Sequence, residues 1–165
     1  MKLFGVVGWK NNGKTGLMER LVAEFTARGL AVSTVKHAHH GFDVDRAGTD
    51  SHRHRNAGAE EVLLSSANRW ALMVESRAGE PTLAEMLTRL KPVDLVLVEG
   101  YKRDTHPKIE AHRREIGRAL IARDDDTVVA VAANVAISGL RQPVFELDDT
   151  VAIADFIAAH IGLRR

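Results

Sequence analysis

Gly8-Trp-Lys-Asn-Asn-Gly-Lys-Thr15 is the stretch whose reading decides the fold. It satisfies G-x-x-x-x-G-K-[ST] at every fixed position, the pattern of a loop that wraps phosphate. Residue frequencies alone would produce that coincidence in about four chains per thousand. The context is also the required one. Upstream, Lys2-Leu-Phe-Gly-Val-Val7 reads as a short buried strand. Downstream, Leu17, Met18, Leu21, Val22 and Phe25 fall at helical spacing between Lys14 and Arg28, and Gly29 supplies the stop. Leu30 to Lys36 is β-branched and reads as a second strand. Strand, glycine loop, helix and strand form one βαβ unit.

Phosphate chemistry explains each position of the loop. Gly8 and Gly13 let the main chain turn tightly, so that the amides of Trp9, Lys10, Asn11 and Asn12 point at phosphate oxygens. The helix that begins at Lys14, with Gly16 in its first turn, presents its positive end and unpaired N–H groups to the same anion. Lys14 is expected to reach the β and γ phosphates, and the Thr15 hydroxyl to ligate Mg²⁺.

Beyond this unit, His37 to Gly58 is polar and reads as a long loop leading into a short helix. Glu61 to Ser65 and Trp70 to Glu75 read as two strands joined by Ser66-Ala-Asn-Arg69. Thr82-Leu-Ala-Glu85 has the form of a capping box opening a helix to Leu90. Val93 to Val98 is an apolar strand, Lys108 to His112 a candidate strand, Val128 to Ala132 a buried strand and Val144 to Leu147 a shorter one. Asp148 is the expected cap of a last helix, with Val151, Ile153, Ala154, Phe156 and Ile157 facing inward. The alternation predicts an α/β fold: a P-loop NTPase-like, mainly parallel sheet with helices on both faces, in a single nucleotide-binding domain over 1–165.

Composition narrows the function classes. A chain of 165 residues, 45% apolar, suits one domain and can bury roughly 70% of its unfolded surface. It has no cysteine, so disulfides and thiolate metal sites are excluded. The apolar start is too short for a secretory signal or membrane span, and a cytoplasmic location is expected. Lys+Arg (23) nearly balance Asp+Glu (22), so nothing in the net charge calls for nucleic acid, and any anion site must be local.

Several residues are candidates to complete such a site. Glu99 follows an apolar strand, where sheets of this kind bind ligands and where an acid holds Mg²⁺ or its water. Asp45, in Asp45-Arg-Ala-Gly48, and Asp43 are candidates for the metal's surroundings. Five of the eight histidines lie between His37 and His54, among them His39 and His40, a composition able to bind Zn²⁺, Ni²⁺ or Co²⁺ or simply to order around a nucleotide. Tyr101 to Arg123 contains seven Lys/Arg against three Asp/Glu, a solvated face or an anion-binding one. Within it Lys102 sits near Glu99 and so near the nucleotide. The guanine-reading Asn-Lys-x-Asp motif is absent. Asn134, at the end of strand 128–132, is the best placed side chain for a purine edge, with Ser138 as a helper.

Taken with the phosphate loop, Val35-Lys-His-Ala-His-His-Gly-Phe-Asp-Val-Asp45, Gly48-Thr-Asp-Ser51, Arg55-Asn-Ala-Gly58 and Val98-Glu-Gly-Tyr-Lys102 resemble the molybdopterin-guanine dinucleotide biosynthesis protein B (MobB) family, in order and at compatible spacing. The resemblance implies a homodimeric GTP-binding adapter of molybdenum cofactor synthesis, using Mg²⁺, with at most slow GTP hydrolysis. It implies a guanylyltransferase as partner, with molybdopterin as a further ligand, and no membrane or nucleic acid. By position, Gly13, Lys14 and Thr15 would bind phosphate and metal. Lys36-His37, Asp43, Asp45 and Glu99 to Lys102 would line the same cleft. Gly16 departs from the family, which commonly has a second hydroxyl residue there. A small-molecule kinase, an ATP-dependent ligase, or a nickel or cobalt insertion GTPase would use the same loop.

Overall fold

The computed structural model describes residues 1–38, 42–77 and 79–163; His39 and His40 of the histidine cluster lie outside the described residues. The chain packs as two compact units, one formed by 1–37 with 89–165 and the other by 38–88.

The first unit is built on a six-stranded sheet. Its strands are β1 (Lys2–Val7), β2 (Val32–Lys36), β5 (Leu95–Glu99), β6 (Lys108–His112), β7 (Val128–Ala133) and β8 (Val144–Glu146), in the order β2-β5-β1-β6-β7-β8. Every pairing is parallel. The expected P-loop NTPase-like sheet is therefore present. β1 lies between β5 and β6, so the chain leaves it with strands on both sides, the place where α/β sheets bind ligands.

Two helices cover one face of this sheet. α1 (Lys14–Ala27) contributes Leu17, Met18, Leu21 and Phe25; α4 (Thr150–His160) contributes Ile153, Ala154 and Ile157. These pack with Phe4, Val6, Leu95, Leu97, Ile109, Ala111, Ala130 and Ala132. The sheet residues alternate along each strand, as the two-residue period of a pleated strand demands. On the opposite face, Val7, Val128, Val131 and Ala133 pack with Leu120 and Ala122. Within this unit that face is covered by a 3₁₀ turn, Ile121–Arg123, in place of an α-helix.

Two details of the last helix differ from the sequence reading. Its cap is Asp149, whose side chain accepts from the Ala152 amide at 3.1 Å. Asp148 is instead drawn to Arg20, 3.1 Å away. That arginine also donates to the Leu147 carbonyl and the Thr150 hydroxyl, which ties α1 to the start of α4. Val151, expected to face inward, is instead 55% exposed, and the buried stripe is Ile153, Ala154 and Ile157.

Strand β6 carries Lys108, Glu110 and His112 on the face opposite the helices, and all three are buried. The basic segment is therefore not a solvated face along its whole length. Lys108 Nζ donates to the Asp104 carbonyl and the Thr127 hydroxyl. Glu110 accepts from the amides of Ile121 and Ala122 at 3.1 and 2.9 Å. Buried charges are tolerated when satisfied in this way.

The second unit holds α2 (Asp50–Asn56), an antiparallel hairpin of β3 (Glu61–Ser65) and β4 (Trp70–Val74), and α3 (Leu83–Thr88). The capping box that opens α3 forms as expected: Glu85 accepts from the Thr82 amide, and the Thr82 hydroxyl accepts from the Glu85 amide. Arg55 gathers this unit's acids, pairing with Asp43, Asp45 and Glu75 at 2.8, 3.1 and 3.0 Å. Among the described residues no helix is long and apolar enough to cross a membrane.

Phe25→Ala is expected to lower unfolding free energy by about 3–5 kcal/mol, the usual range for a buried aromatic. Val151→Ala should change it by less than about 0.5 kcal/mol. Urea titration of both variants checks the assignment of faces.

Candidate functional site

The site begins where β1 stops. Gly8 leaves the strand at φ +146°, and a Cβ there would collide with the Ala111 carbonyl oxygen of β6. Only glycine fits so close an approach at that angle. The loop then curls on itself, with the Asn12 amide donating to the Trp9 carbonyl at 3.2 Å and Asn11 in the left-handed region at φ 67°. Asn12 is fully buried, and its Oδ1 accepts from the Arg113 amide at 3.2 Å. The loop is thus pinned from below by the residue that follows β6.

The Asn12 amide, expected to point at phosphate, is thus taken by the Trp9 carbonyl, while others of the loop remain available. Among the described residues the N–H groups of Lys10, Asn11 and Gly13 make no main-chain hydrogen bond, and the first helical bond of α1 runs from Leu17 to the Gly13 carbonyl. Lys14, Thr15 and Gly16 are therefore the orphan donors of the helix start. A row of free amides with a helix's positive end is an anion cradle.

Around it the structure brings together most of the predicted side chains of the first unit. Thr15 Oγ1 lies 3.4 Å from Glu99 Oε1, in donating geometry. Glu99 ends β5 and is 9% exposed. Lys36, at the end of β2, places Nζ 3.5 Å from the same oxygen. The adjacent chain is held by main-chain bonds, His37 donating to the Glu99 carbonyl and Gly100 to that of Val6. Gly100 turns at φ +94°, where a Cβ would press within 3.0 Å of the His37 Cβ. That turn sets the His37 ring against Tyr101, with centroids 4.8 Å apart.

Lys14 reaches back across the loop and donates to the Trp9 carbonyl at 2.9 Å. Burial pushes its ammonium below the ordinary lysine range; Glu99 opposes this, while Lys102 and Lys36 reinforce it. Trp9 is held by its indole N–H, which donates to the Ala119 carbonyl at 2.8 Å. Lys102 stands over its ring at 4.1 Å and Arg118 at 5.7 Å. Burial lowers Lys102 as well, with Glu110 opposing. Lys102 therefore takes its expected place beside the loop.

Two expectations meet a different arrangement. Asn134 does close β7, but its amide is engaged within the chain: Oδ1 accepts from the Arg114 amide at 3.1 Å and Nδ2 donates to both Glu115 oxygens at 2.9 Å. Asp45, in the second unit, is bound by Arg55 and by the Ser51 hydroxyl at 2.8 Å. Among the described residues no group of three or more histidine and acidic side chains is placed to hold a metal ion.

Sequence reasoning noted the basic segment but singled out none of its arginines. Arg113 lays its guanidinium over Gly13, Nε lying 3.1 Å from where a Cβ would stand. The signal was present in its position, directly after a strand flanking β1.

The hard oxygen donors of Thr15 and Glu99 suit Mg²⁺, which takes one or two protein oxygens and leaves its other positions to water and phosphate. The free amides and surrounding lysines suit a polyphosphate.

Known proteins resemble the chain in both sequence and fold. The chain is 40% identical over 157 residues to the molybdopterin-guanine dinucleotide biosynthesis adapter protein of Haemophilus influenzae, covering 94% of this chain and 86% of that one. It is 35% identical over 159 residues to the protein of the same name from Escherichia coli, covering 94% and 90%. In three dimensions it is similar to Bacillus subtilis MobB, with a TM-score of 0.75 at 26% identity over 98% of each chain. It is similar also to a MobB protein homolog from Bacillus stearothermophilus, with a TM-score of 0.72 at 28% identity over 99% and 100%. The family model for molybdopterin guanine dinucleotide synthesis protein B matches residues 3–134, and the chain belongs to that MobB family.

Proposed function

We propose that this chain is a GTP-binding adapter in molybdopterin guanine dinucleotide synthesis, holding GTP with Mg²⁺ in the loop Gly8–Thr15 and assisting a guanylyltransferase. The observation that carries the nucleotide reading is the meeting, at one strand edge, of the loop's free amides with the Thr15–Glu99 pair. The adapter role is supported by the names of the relatives that match along 94% of the chain. Bound Mg²⁺ supplies charge neutralisation at the phosphates. Lys14 leaves the Trp9 carbonyl for the phosphate chain, and Lys36 and Lys102 add positive potential around it. GTP hydrolysis is at most slow, in keeping with Glu99: its Oε1 already faces Thr15 and Lys36 and is poorly disposed to serve as a base toward water.

The working form is a homodimer. In support, the β3–β4 hairpin exposes Leu63 at 62%, Trp70 at 60%, Leu72 at 39% and Val74 at 50%. A two-stranded sheet with apolar residues left in water is marginal alone and gains by being covered. Molybdopterin is taken to reach this chain through the partner enzyme.

Calorimetric titration with GTP, ATP and Mg²⁺, repeated with the purified guanylyltransferase, tests the reading. Lys14→Ala should weaken Mg²⁺–GTP binding by more than about a hundredfold, the loss of a charged phosphate contact. Its melting temperature should stay unchanged, because the lysine is not a core residue; retained micromolar affinity would refute the assigned role. Glu99→Gln should flatten the dependence of GTP binding on Mg²⁺ concentration more than it weakens binding without metal, and an intact metal response would remove Glu99 from the site. Leu72→Asp should shift the sedimentation coefficient from dimer to monomer; a wild-type monomer at tens of micromolar would sink the dimer.

A further inference from the structure

The phosphate loop has two sides that differ in chemistry. Toward β5 lie Thr15, Glu99 and Lys36, the oxygen and ammonium groups that suit metal and terminal phosphate. Toward β6 lies the turn 113–119, tied to the loop at both ends. The Arg113 amide donates to Asn12 Oδ1 at one end, and the Trp9 indole donates to the Ala119 carbonyl at the other. A phosphate chain gripped with its metal end against β5 would leave the loop toward β6 and bring its nucleoside to this turn.

The turn's side chains are unusual for a merely structural corner. Arg113 places Nε 3.1 Å and Nη2 3.6 Å from where a Gly13 Cβ would stand, at the positive end of α1. Among the described residues its guanidinium makes no ion pair. A cation there is repelled by the helix end unless an anion joins them. Two residues on stands Glu115, the one acid of 113–119. Asn134 donates to both of its oxygens at 2.9 Å, while the Asn134 carbonyl is fixed by the Arg114 amide. An exposed glutamate is thus held in one orientation at the edge of β6 and β7. Its own backbone amide, then Asn134, then Arg113 and Arg114 hold its carboxyl below the ordinary range, so it is ionised and accepts hydrogen bonds only.

We propose that this turn forms the nucleoside end of the site, with Glu115 reading guanine and Arg113 lying along the path from phosphate to base. An ionised carboxylate matches the N1–H and 2-amino donors of guanine and faces the N1 lone pair of adenine unfavourably. His112-Arg113-Arg114-Glu115 also sets a cation and, two positions on, an acid at a strand end, the charge order of Asn-Lys-x-Asp. Asn134 is then a positioning residue, acting on the base through Glu115. The inference rests on the reading that the loop holds a nucleoside triphosphate.

The test is competition binding with GTP, ATP, xanthosine triphosphate and magnesium tripolyphosphate on the full chain and on Glu115→Gln. Wild type should prefer GTP over ATP by at least tenfold. Glu115→Gln should lose at least tenfold in GTP affinity and bind xanthosine triphosphate more tightly than GTP, because its amide donates to the xanthine C2 carbonyl. A GTP preference unchanged in the variant overturns the role of Glu115 and leaves the phosphate reading standing. So does an equal loss across all three nucleotides, which marks a structural residue. If neither GTP nor tripolyphosphate binds wild type, the phosphate reading falls and this inference with it.

Discussion

The close passage of Gly8 beneath the Ala111 carbonyl is the constraint from which the rest of the site follows. It is set by the register of β1 against β6, in which Val7 stands beside Glu110. With no side chain at Gly8 the main chain turns sharply out of the sheet, and with Asn12 sunk beneath it the turn has a fixed floor. The same register buries Glu110 behind the loop, where it holds the 3₁₀ turn at Ile121 and Ala122. That turn presents the Ala119 carbonyl to Trp9. Loop, strand β6 and the segment to 123 are therefore one mechanical piece, and a displacement of any of them is felt by the others.

Much of this was legible in the sequence, and the reasons are local. Strand β5 is apolar without alternation because it is buried on both faces, and Glu99 ends it beside Thr15 of the loop. The α1 stripe and the Thr82–Glu85 capping box are short-range patterns, and both formed. What escaped was decided by contacts distant in sequence. Asp148 and Asp149 are equivalent as caps until Arg20, more than a hundred residues away, claims the first. Lys108 and Glu110 lie in a segment read as a solvated or an anion-binding face, and Asp104, Asp125, Thr127 and the amides of 121 and 122 make their burial tolerable. Asn134 read as a side chain open to a purine edge because nothing local announces Glu115 as its partner.

The division into two units was likewise hidden. The stretch 38–88 has no Pro- or Gly-rich linker at either end, and its hairpin reads like any other pair of strands. What distinguishes it is that the hairpin forms its own two-stranded sheet, with apolar residues on view. A strand reading from periodicity tells which residues alternate, but not whether a neighbouring strand will be found.

Electrostatics around the loop also favours a polyanionic ligand, by magnitude. Lys14, Lys36, Lys102, Arg113 and Arg118 gather about the loop, and three of them have weak partners at present. Lys14 contacts a neutral carbonyl, and Lys102 and Arg118 share the face of one exposed indole. Cation–π contacts at exposed sites are worth about 0.5–1 kcal/mol each. Hydrogen bonds between a cation and a charged acceptor are worth about 1.5–3 kcal/mol. Exchange of an indole face for a phosphate oxygen is therefore downhill for Lys102 and Arg118, and the same cations that crowd one another in this arrangement would cooperate around a triphosphate. On the proposed reading the arrangement is also self-limiting: these cations around the committed Glu99 carboxylate would hold a polyanion while supplying little general-base power, the balance that suits an adapter better than a fast hydrolase.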